Sequence, residues 1–124
     1  MIDIDEIMDM LDWNNSVDEQ IKGVELAKKI KHLSVLFQPI ENKSIWENCA
    51  RVIISKSNQE LGLYLISMFE WLKDMNWPGA YLIYDRLKSM PEQLITSAYS
   101  ICLSMAEQTC DYSWKQVLKD FKKE

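Results

Sequence analysis

The sequence predicts an all-α fold, and three observations carry that reading. Apolar residues recur at the i, i+3, i+4, i+7 spacing of one buried helical face in segment after segment. Ser-x-x-Glu signatures of helix starts repeat at Ser16/Glu19, Ser44/Glu47, Ser57/Glu60 and Ser89/Glu92. Glycine and proline occur only three times each, which disfavours turn-rich β-architecture and disorder.

Seven helical segments follow. In the first, Ile4, Ile7, Met8 and Leu11 form the apolar face and Asp3, Asp5 and Glu6 suit the positive end of the dipole, with an end near Asp12. The second runs from Val17 to His32 behind Ser16 and Glu19, with a core stripe of Val17, Ile21, Val24, Ala27 and Ile30 and a C-terminus rich in lysine (Lys28, Lys29, Lys31). After a loop over residues 34–42 containing Gln38-Pro39, Ser44 and Glu47 open the third, whose Ile45, Trp46, Cys49, Ala50 and Ile53 share a face. The fourth, 58–74, is apolar on nearly every side, Leu63 included, and reads as a central spine. Pro78 suits the first turn of the fifth and holds Trp77 out of the α region, after which Ala80, Ile83, Tyr84 and Leu87 face inward. Ser89, Pro91 and Glu92 start the sixth, carrying Leu94, Ile95, Ala98, Ile101, Cys102 and Met105. Asp111 caps the last, with Trp114, Val117, Leu118 and Phe121 inward and lysines toward its end.

At 124 residues the chain, 1–124, reads as one domain. Nineteen acids against 14 bases leave a net charge of −5, and the first 21 residues hold seven acids and no base, which argues against a nucleic-acid partner. No apolar run approaches the roughly 20 residues of a membrane helix, and the start lacks the basic residues of a secretory signal, so a cytoplasmic protein with no membrane contact is expected. Cys49, Cys102 and Cys110 are odd in number and without Cys-x-x-Cys spacing, so neither a disulfide framework nor a zinc site is indicated. Cys49 and Cys102 sit on apolar faces as buried thiols.

Short helices joined by short turns suit either an irregular bundle or an α-solenoid of stacked hairpins. An internal echo favours the solenoid: Leu11-Asp12-Trp13-Asn14 closes the first helix much as Asp74-Met75-Asn76-Trp77 closes the fourth, with the Trp and Asn order inverted. Those residues, together with Trp46-Glu47-Asn48-Cys49-Ala50 and the whole of 71–80, resemble a family of small bacterial proteins of unknown function with HEAT-like helical repeats. A Trp-Leu-x-Asp-x-Asn-Trp-Pro-Gly-Ala block is that family's hallmark. The resemblance spans essentially the full chain. It implies an all-α, HEAT-like α-α superhelix, a right-handed stack of about three helix hairpins plus a terminal helix. It also implies an interaction role, including that of an immunity partner of a secreted toxin. It carries no catalytic residue.

The candidate chemistry is sparse. Asp12, Trp13 and Asn14 with Asp74, Asn76 and Trp77 would line one edge of such a stack; equally, Asp74 and Asn76 would cap the fifth helix while the tryptophans wedge between hairpins. Asp5, Asp9 and Asp12 form an acidic ridge that suits a basic protein partner, though a solvated face looks the same, and a straight ridge spreads its oxygens too far for a hard cation. His32 suits a helix C-terminus. Gly23, Gly62 and Gly79 stand alone, so no phosphate loop is present, and Ser97, Ser100, Ser104 and Cys110 have no neighbouring base. Glu47 with Arg51 is an ordinary helix pair, whereas Glu70 with Asp74 is a like-charge i, i+4 pair and the place to look for acid–base work or a bound cation.

Five tryptophans are many for one small core, and Trp13, Trp46 or Trp77 would act as an aromatic anchor where exposed. The leading expectation is therefore a non-enzymatic interaction module of the bacterial cytoplasm. It binds a protein through a surface drawn from Asp12, Trp13, Asn14, Trp46, Asn48, Glu70, Asp74, Asn76 and Trp77, with no catalytic residue, cofactor or metal. One alternative is a small-molecule binder or enzyme with a pocket around Glu70, Asp74, Asn76 and Trp77; another is a structural unit that self-associates through its terminal hairpins.

Overall fold

The computed structural model describes residues 3–123, so residues 1, 2 and 124 of the expected domain lie outside it. Among the described residues there are helices and turns and no strand. The α-helices are α1 (Ile4–Met10), α2 (Val17–Ala27), α3 (Trp46–Ile54), α4 (Asn58–Leu61), α5 (Leu65–Glu70), α6 (Ala80–Lys88), α7 (Glu92–Gln108) and α8 (Tyr112–Lys123), with 3-10 turns at Leu33–Leu36, Ile40–Ile45 and Trp71–Lys73. None is long and apolar enough to cross a membrane.

Helix α1 packs on α2, α2 on α3, α3 on α6, α5 on α7, and α7 on α8. The closeness of the first pair depends on Gly23, where an added Cβ would lie 2.7 Å from Met10 Cβ. One contiguous apolar cluster runs from Ile7 to Phe121. At its C-terminal end Phe69, Tyr99, Tyr84 and Phe121 meet largely edge to face, the arrangement that ring quadrupoles favour. Trp114 is fully buried there, and its indole N–H donates to the Phe69 carbonyl at 3.0 Å.

Helix starts follow local chemistry at four places. Asp3, Ser16, Ser57 and Asp111 each accept a backbone N–H three residues on, and Glu60 returns a bond to the Ser57 N–H to complete a capping box. Two expected caps are absent. Ser44 does not cap α3; its hydroxyl donates to Asp12 at 3.0 Å, and the N-cap position is Ile45. Ser89 does not cap α7 either, because its hydroxyl donates to the Arg86 carbonyl and Pro91 precedes the helix. In both cases the serine lies in another helical turn, Ser44 inside the 3-10 turn Ile40–Ile45 and Ser89 in helical conformation at the end of α6, and so lacks the extended backbone of an N-cap.

Helix boundaries also move. Helix α2 ends at Ala27 rather than His32, so the three lysines lie beyond it, and Lys56 from across the fold donates to the Lys28 and Ile30 carbonyls. His32 accordingly precedes a 3-10 turn within the expected loop and stands exposed. The spine is three pieces rather than one helix. Hydrogen bonding tightens to Tyr64 N–H donating to Leu61, which leaves Leu63 91% exposed while Leu61 and Leu65 stay buried and Tyr64 stacks on Phe37 at 5.7 Å. The second helix departs most from expectation: Val17 and Ile21 are exposed, and Gly23 and Ala27 are its buried residues. Ile101 is likewise exposed.

Helix α7 ends in a Schellman arrangement, with Asp111 N–H donating to Ala106 and Cys110 N–H to Glu107. The left-handed residue there is Cys110, at φ 56°.

Candidate functional site

The two Asp corners fold alike. After α1, Asp12 Oδ1 accepts the Asn14 N–H at 2.8 Å and its carbonyl accepts the Asn15 N–H at 3.0 Å. After the 3-10 turn 71–73, Asp74 Oδ1 accepts the Asn76 N–H at 2.8 Å and its carbonyl accepts the Trp77 N–H at 3.0 Å. Each is an Asx turn, so the echo aligns Asp with Asp and Asn with Asn, and Trp13 matches Met75 rather than Trp77. Asp74 is extended, at φ −141° and ψ 108°, and so leaves the helical face of Glu70. Glu70 pairs with Lys73 instead, at 3.6 Å, and the expected like-charge helix pair does not form.

Beyond those turns the corners differ. Asp12 Oδ2 also accepts the Ser44 hydroxyl, and the Trp13 N–H donates to the Ser44 carbonyl at 3.0 Å. The Asn14 N–H and then the Ser44 hydroxyl hold the Asp12 carboxyl below its ordinary range. Behind this corner lies Asn48, buried at 3% exposure, whose amide donates to the Leu11 carbonyl at 2.8 Å and to Gln20 at 2.9 Å and accepts from Arg51 at 2.7 Å. Gln20 in turn donates to the Trp13 and Asn15 carbonyls. Asn48 is thus a clasp between α3 and the α1–α2 corner.

The central corner is closed by the backbone. The Ala80 N–H donates to the Trp77 carbonyl across Pro78 and Gly79, and Gly79 sits at φ 82°, ψ −6°, the third position of a type II turn. Pro78 therefore occupies the turn ahead of α6, not its first helical turn. An added Cβ at Gly79 would lie 2.6 Å from Ala50 Cβ. The Trp71 indole donates to the Pro78 carbonyl at 3.0 Å and Trp46 to the Pro39 carbonyl at 3.2 Å.

Of the residues expected at a binding surface, the structure gathers Trp46, Glu70 and Trp77 around one groove of about 260 Å³. Phe37, Gln38, Ser67, Trp71 and Lys73 complete it. Trp46 stands edge to face with Trp71 at 5.3 Å and with Trp77 at 5.2 Å, and Phe37 meets Trp71 at 5.9 Å. Asp74 and Asn76 are exposed beside the corner. Asp12 lines a second, acidic hollow with Asp5 and Asp9, while Trp13 (51% exposed) and Asn14 stand in solvent. Asn48 borders a third groove, of about 420 Å³, beside Val17, Ile21, Val24 and Arg51.

Sequence reasoning missed Val17 and Ile21 as surface residues, and their helical spacing gave no sign of it, since a buried and an exposed apolar stripe share one period. Phe37 was missed because its segment carries no motif, and Lys73 because it holds a variable position of the 71–80 block. Buried Cys49 and Cys102 have thiols pushed up to about 12 and about 11 by burial, which suits inert core residues, whereas Cys110 is exposed. Among the described residues no three His, Cys, Asp or Glu side chains converge as a metal site.

A family model described as a domain of unknown function, DUF5071, matches residues 45–124. The chain belongs to the DUF5071 family. The matched region takes in α3–α8, and with them the Gly79 turn and most of the residues that line the aromatic groove; the α1–α2 hairpin precedes it. No curated protein and no solved structure matches the chain.

Proposed function

We propose that this DUF5071 protein is a non-enzymatic interaction module of HEAT-like build, acting in the bacterial cytoplasm, that holds a protein partner against the α1–α2 corner. The observation that carries the reading is a run of large apolar side chains in solvent: Trp13, Val17 and Ile21 are 51%, 70% and 57% exposed. Val17 and Ile21, at i, i+4, occupy one face of α2 and open onto the groove beside Asn48 and Arg51. Contiguous exposed apolar surface with an aromatic residue is what interfaces use, because burying it on association releases water and a rigid indole loses little entropy. Glu25 and Arg51 line that groove, and the hairpin that carries it is acidic, with seven acids and no base in the first 21 residues, so a partner with a basic surface is favoured, as an immunity-type role toward a basic toxin would require. The packing of α3 on α6 and α5 on α7 supports stacked hairpins, a build that presents such extended surfaces.

The test uses the full chain. Ile21→Asp and Trp13→Ala sit on exposed positions and should leave the circular dichroism unchanged while abolishing co-purification of a stoichiometric partner from the source cells. Amide exchange in the recovered complex should slow over 13–25. Partner retention by both variants, or protection elsewhere only, would overturn the reading. A molar mass by light scattering that rises with concentration, and that Ile21→Asp returns to the monomer, would favour self-association instead.

A further inference from the structure

The geometry points to a second site, independent of that surface: the aromatic groove between α3, α5 and the Gly79 turn is a receptor for a planar organic cation, a guanidinium group. Three properties of the groove carry this. Its walls are Trp46, Trp71, Trp77 and Phe37; neighbouring rings meet edge to face at 5.2–5.9 Å and leave no gap between them, so a flat cation lies against the open ring surface of the half-buried Trp77 and Phe37, backed by the buried Trp46 and Trp71. On the same wall stands the Glu70 carboxylate, held by Lys73 only at 3.6 Å, beyond the roughly 2.7–2.9 Å of a charge-assisted hydrogen bond, so its acceptor capacity is not spent. The walls are also preformed, because the indole N–H groups of Trp46 and Trp71 are tied to the Pro39 and Pro78 carbonyls, and little freedom is lost on binding.

Lys73 shows what the neighbourhood accepts. Its ammonium stands between the Glu70 carboxylate and the Trp114 ring, 4.7 Å from the ring centroid, so a cation is already shared between a carboxylate and an indole there. A guanidinium is better suited than an ammonium to take Glu70 from it: it is planar, more weakly hydrated, stacks on rings and bonds a carboxylate through two N–H groups. Lys73 would remain over Trp114. The space, about 260 Å³, suits one side-chain-sized group and little more.

The source is a free guanidino compound or an arginine side chain, and the same titration separates them. The indole N–H signals of Trp46, Trp71 and Trp77 would be followed by NMR against ethylguanidinium, N-acetyl-arginine-N-methylamide, ethylammonium and acetate. Ethylguanidinium should shift these three signals with a Kd of about 1–10 mM, and ethylammonium should bind several times more weakly. Tighter binding of the capped arginine assigns the site to a side chain, whereas equal or weaker binding assigns it to the free compound. Glu70→Gln should weaken binding about tenfold, and Trp77→Leu about threefold. Lys73→Gln, by removing the competitor, should strengthen it about threefold. Glu70→Gln and Lys73→Gln alter half-exposed positions and should leave the fold intact, so they test the site even where Trp77→Leu unfolds. No shift at tens of millimolar, indifference to Glu70→Gln, or weaker binding by Lys73→Gln with acetate bound instead would overturn the assignment.

Discussion

The corner at Asp12 and the corner at Asp74 have the same turn and different supports. Each Asp takes the N–H of an Asn two residues on and the N–H of the residue after that through its carbonyl, at matching distances. The first is then anchored by side chains, Ser44 on Asp12 and Asn48 behind it. The second is anchored by a Pro-Gly type II turn and by Trp71 bonding that turn's carbonyl. The same three-letter Asp-x-Asn pattern thus makes the same local bend, and the surroundings decide what each corner presents. Trp13 is left in solvent, whereas its counterpart Met75 packs against the core and Trp77 joins an aromatic wall.

The comparison breaks most visibly at Gly79. Gly79→Ala forces a left-handed φ on a residue with a Cβ and drives that Cβ against Ala50, so it should lower unfolding free energy by about 3 kcal/mol in urea denaturation. Cys102→Ala, which removes only a small buried side chain, should cost clearly less.

Asn48→Ala attacks the first corner's clasp. It strands the Leu11 carbonyl and leaves Arg51 and Gln20 without that partner, and should cost roughly 2–3 kcal/mol. The loss should appear in amide exchange as faster opening of α1–α2, with protection in α7 and α8 unchanged. A uniform loss across the chain would mean the two corners are not separate supports.

A direct contrast of the two acids sharpens the point. Asp12→Ala removes the Asx turn and the Ser44 bond, Asp74→Ala the Asx turn alone, so Asp12→Ala should lower Tm more. Asp12 also carries a pH signature. Its carboxyl titrates below its ordinary value of 3.8, because the folded state donates hydrogen bonds to the charged form. The folded-state pKa being the lower one, the contribution is complete above the unfolded value and is lost as pH falls through the folded value. The urea midpoint gap between wild type and Asp12→Asn should therefore be larger at pH 7 than at pH 2.

The smallest effect belongs to the α7–α8 corner, whose left-handed position is a cysteine rather than a glycine. Cys110→Gly relieves the left-handed strain at φ 56° but adds chain entropy to the unfolded state, for a net gain of about 0.5 kcal/mol. Ellman titration of the native wild-type chain should find one reactive thiol, and the Cys110→Gly variant none.

Much of this fold was legible wherever one interaction spans three or four residues. Ser16, Ser57 and Asp111 cap as their spacing predicts, and the Trp77-Pro78-Gly79-Ala80 string makes the sharp corner it promises, though Pro78 precedes α6 rather than beginning it. Ser44 and Ser89 carry the same cap signature and fail, because one lies inside the 3-10 turn 40–45 and the other ends α6 in helical conformation, so neither has the extended backbone that aims a cap at the next helix. The single long helix of 58–74 was misread for a related reason: its apolar count was right, but the break at residues 62–64 answers to the Tyr64–Phe37 stack.

What the sequence alone determined is the all-α class, most helix starts, the acidic first hairpin and the likeness of the two Asp corners, since each rests on composition, backbone propensity or partners within one helical turn; that Asp74 makes an Asx turn with Asn76 instead of capping the following helix was not read from it. The tertiary structure decided which apolar stripes are buried, that Val17 and Ile21 face water, that Asn48 is a clasp, and that Phe37, Trp46, Trp71, Trp77 and Glu70 meet around one groove. Those outcomes depend on which helix packs against which, and the 3.6-residue period states that a face is apolar without stating what covers it.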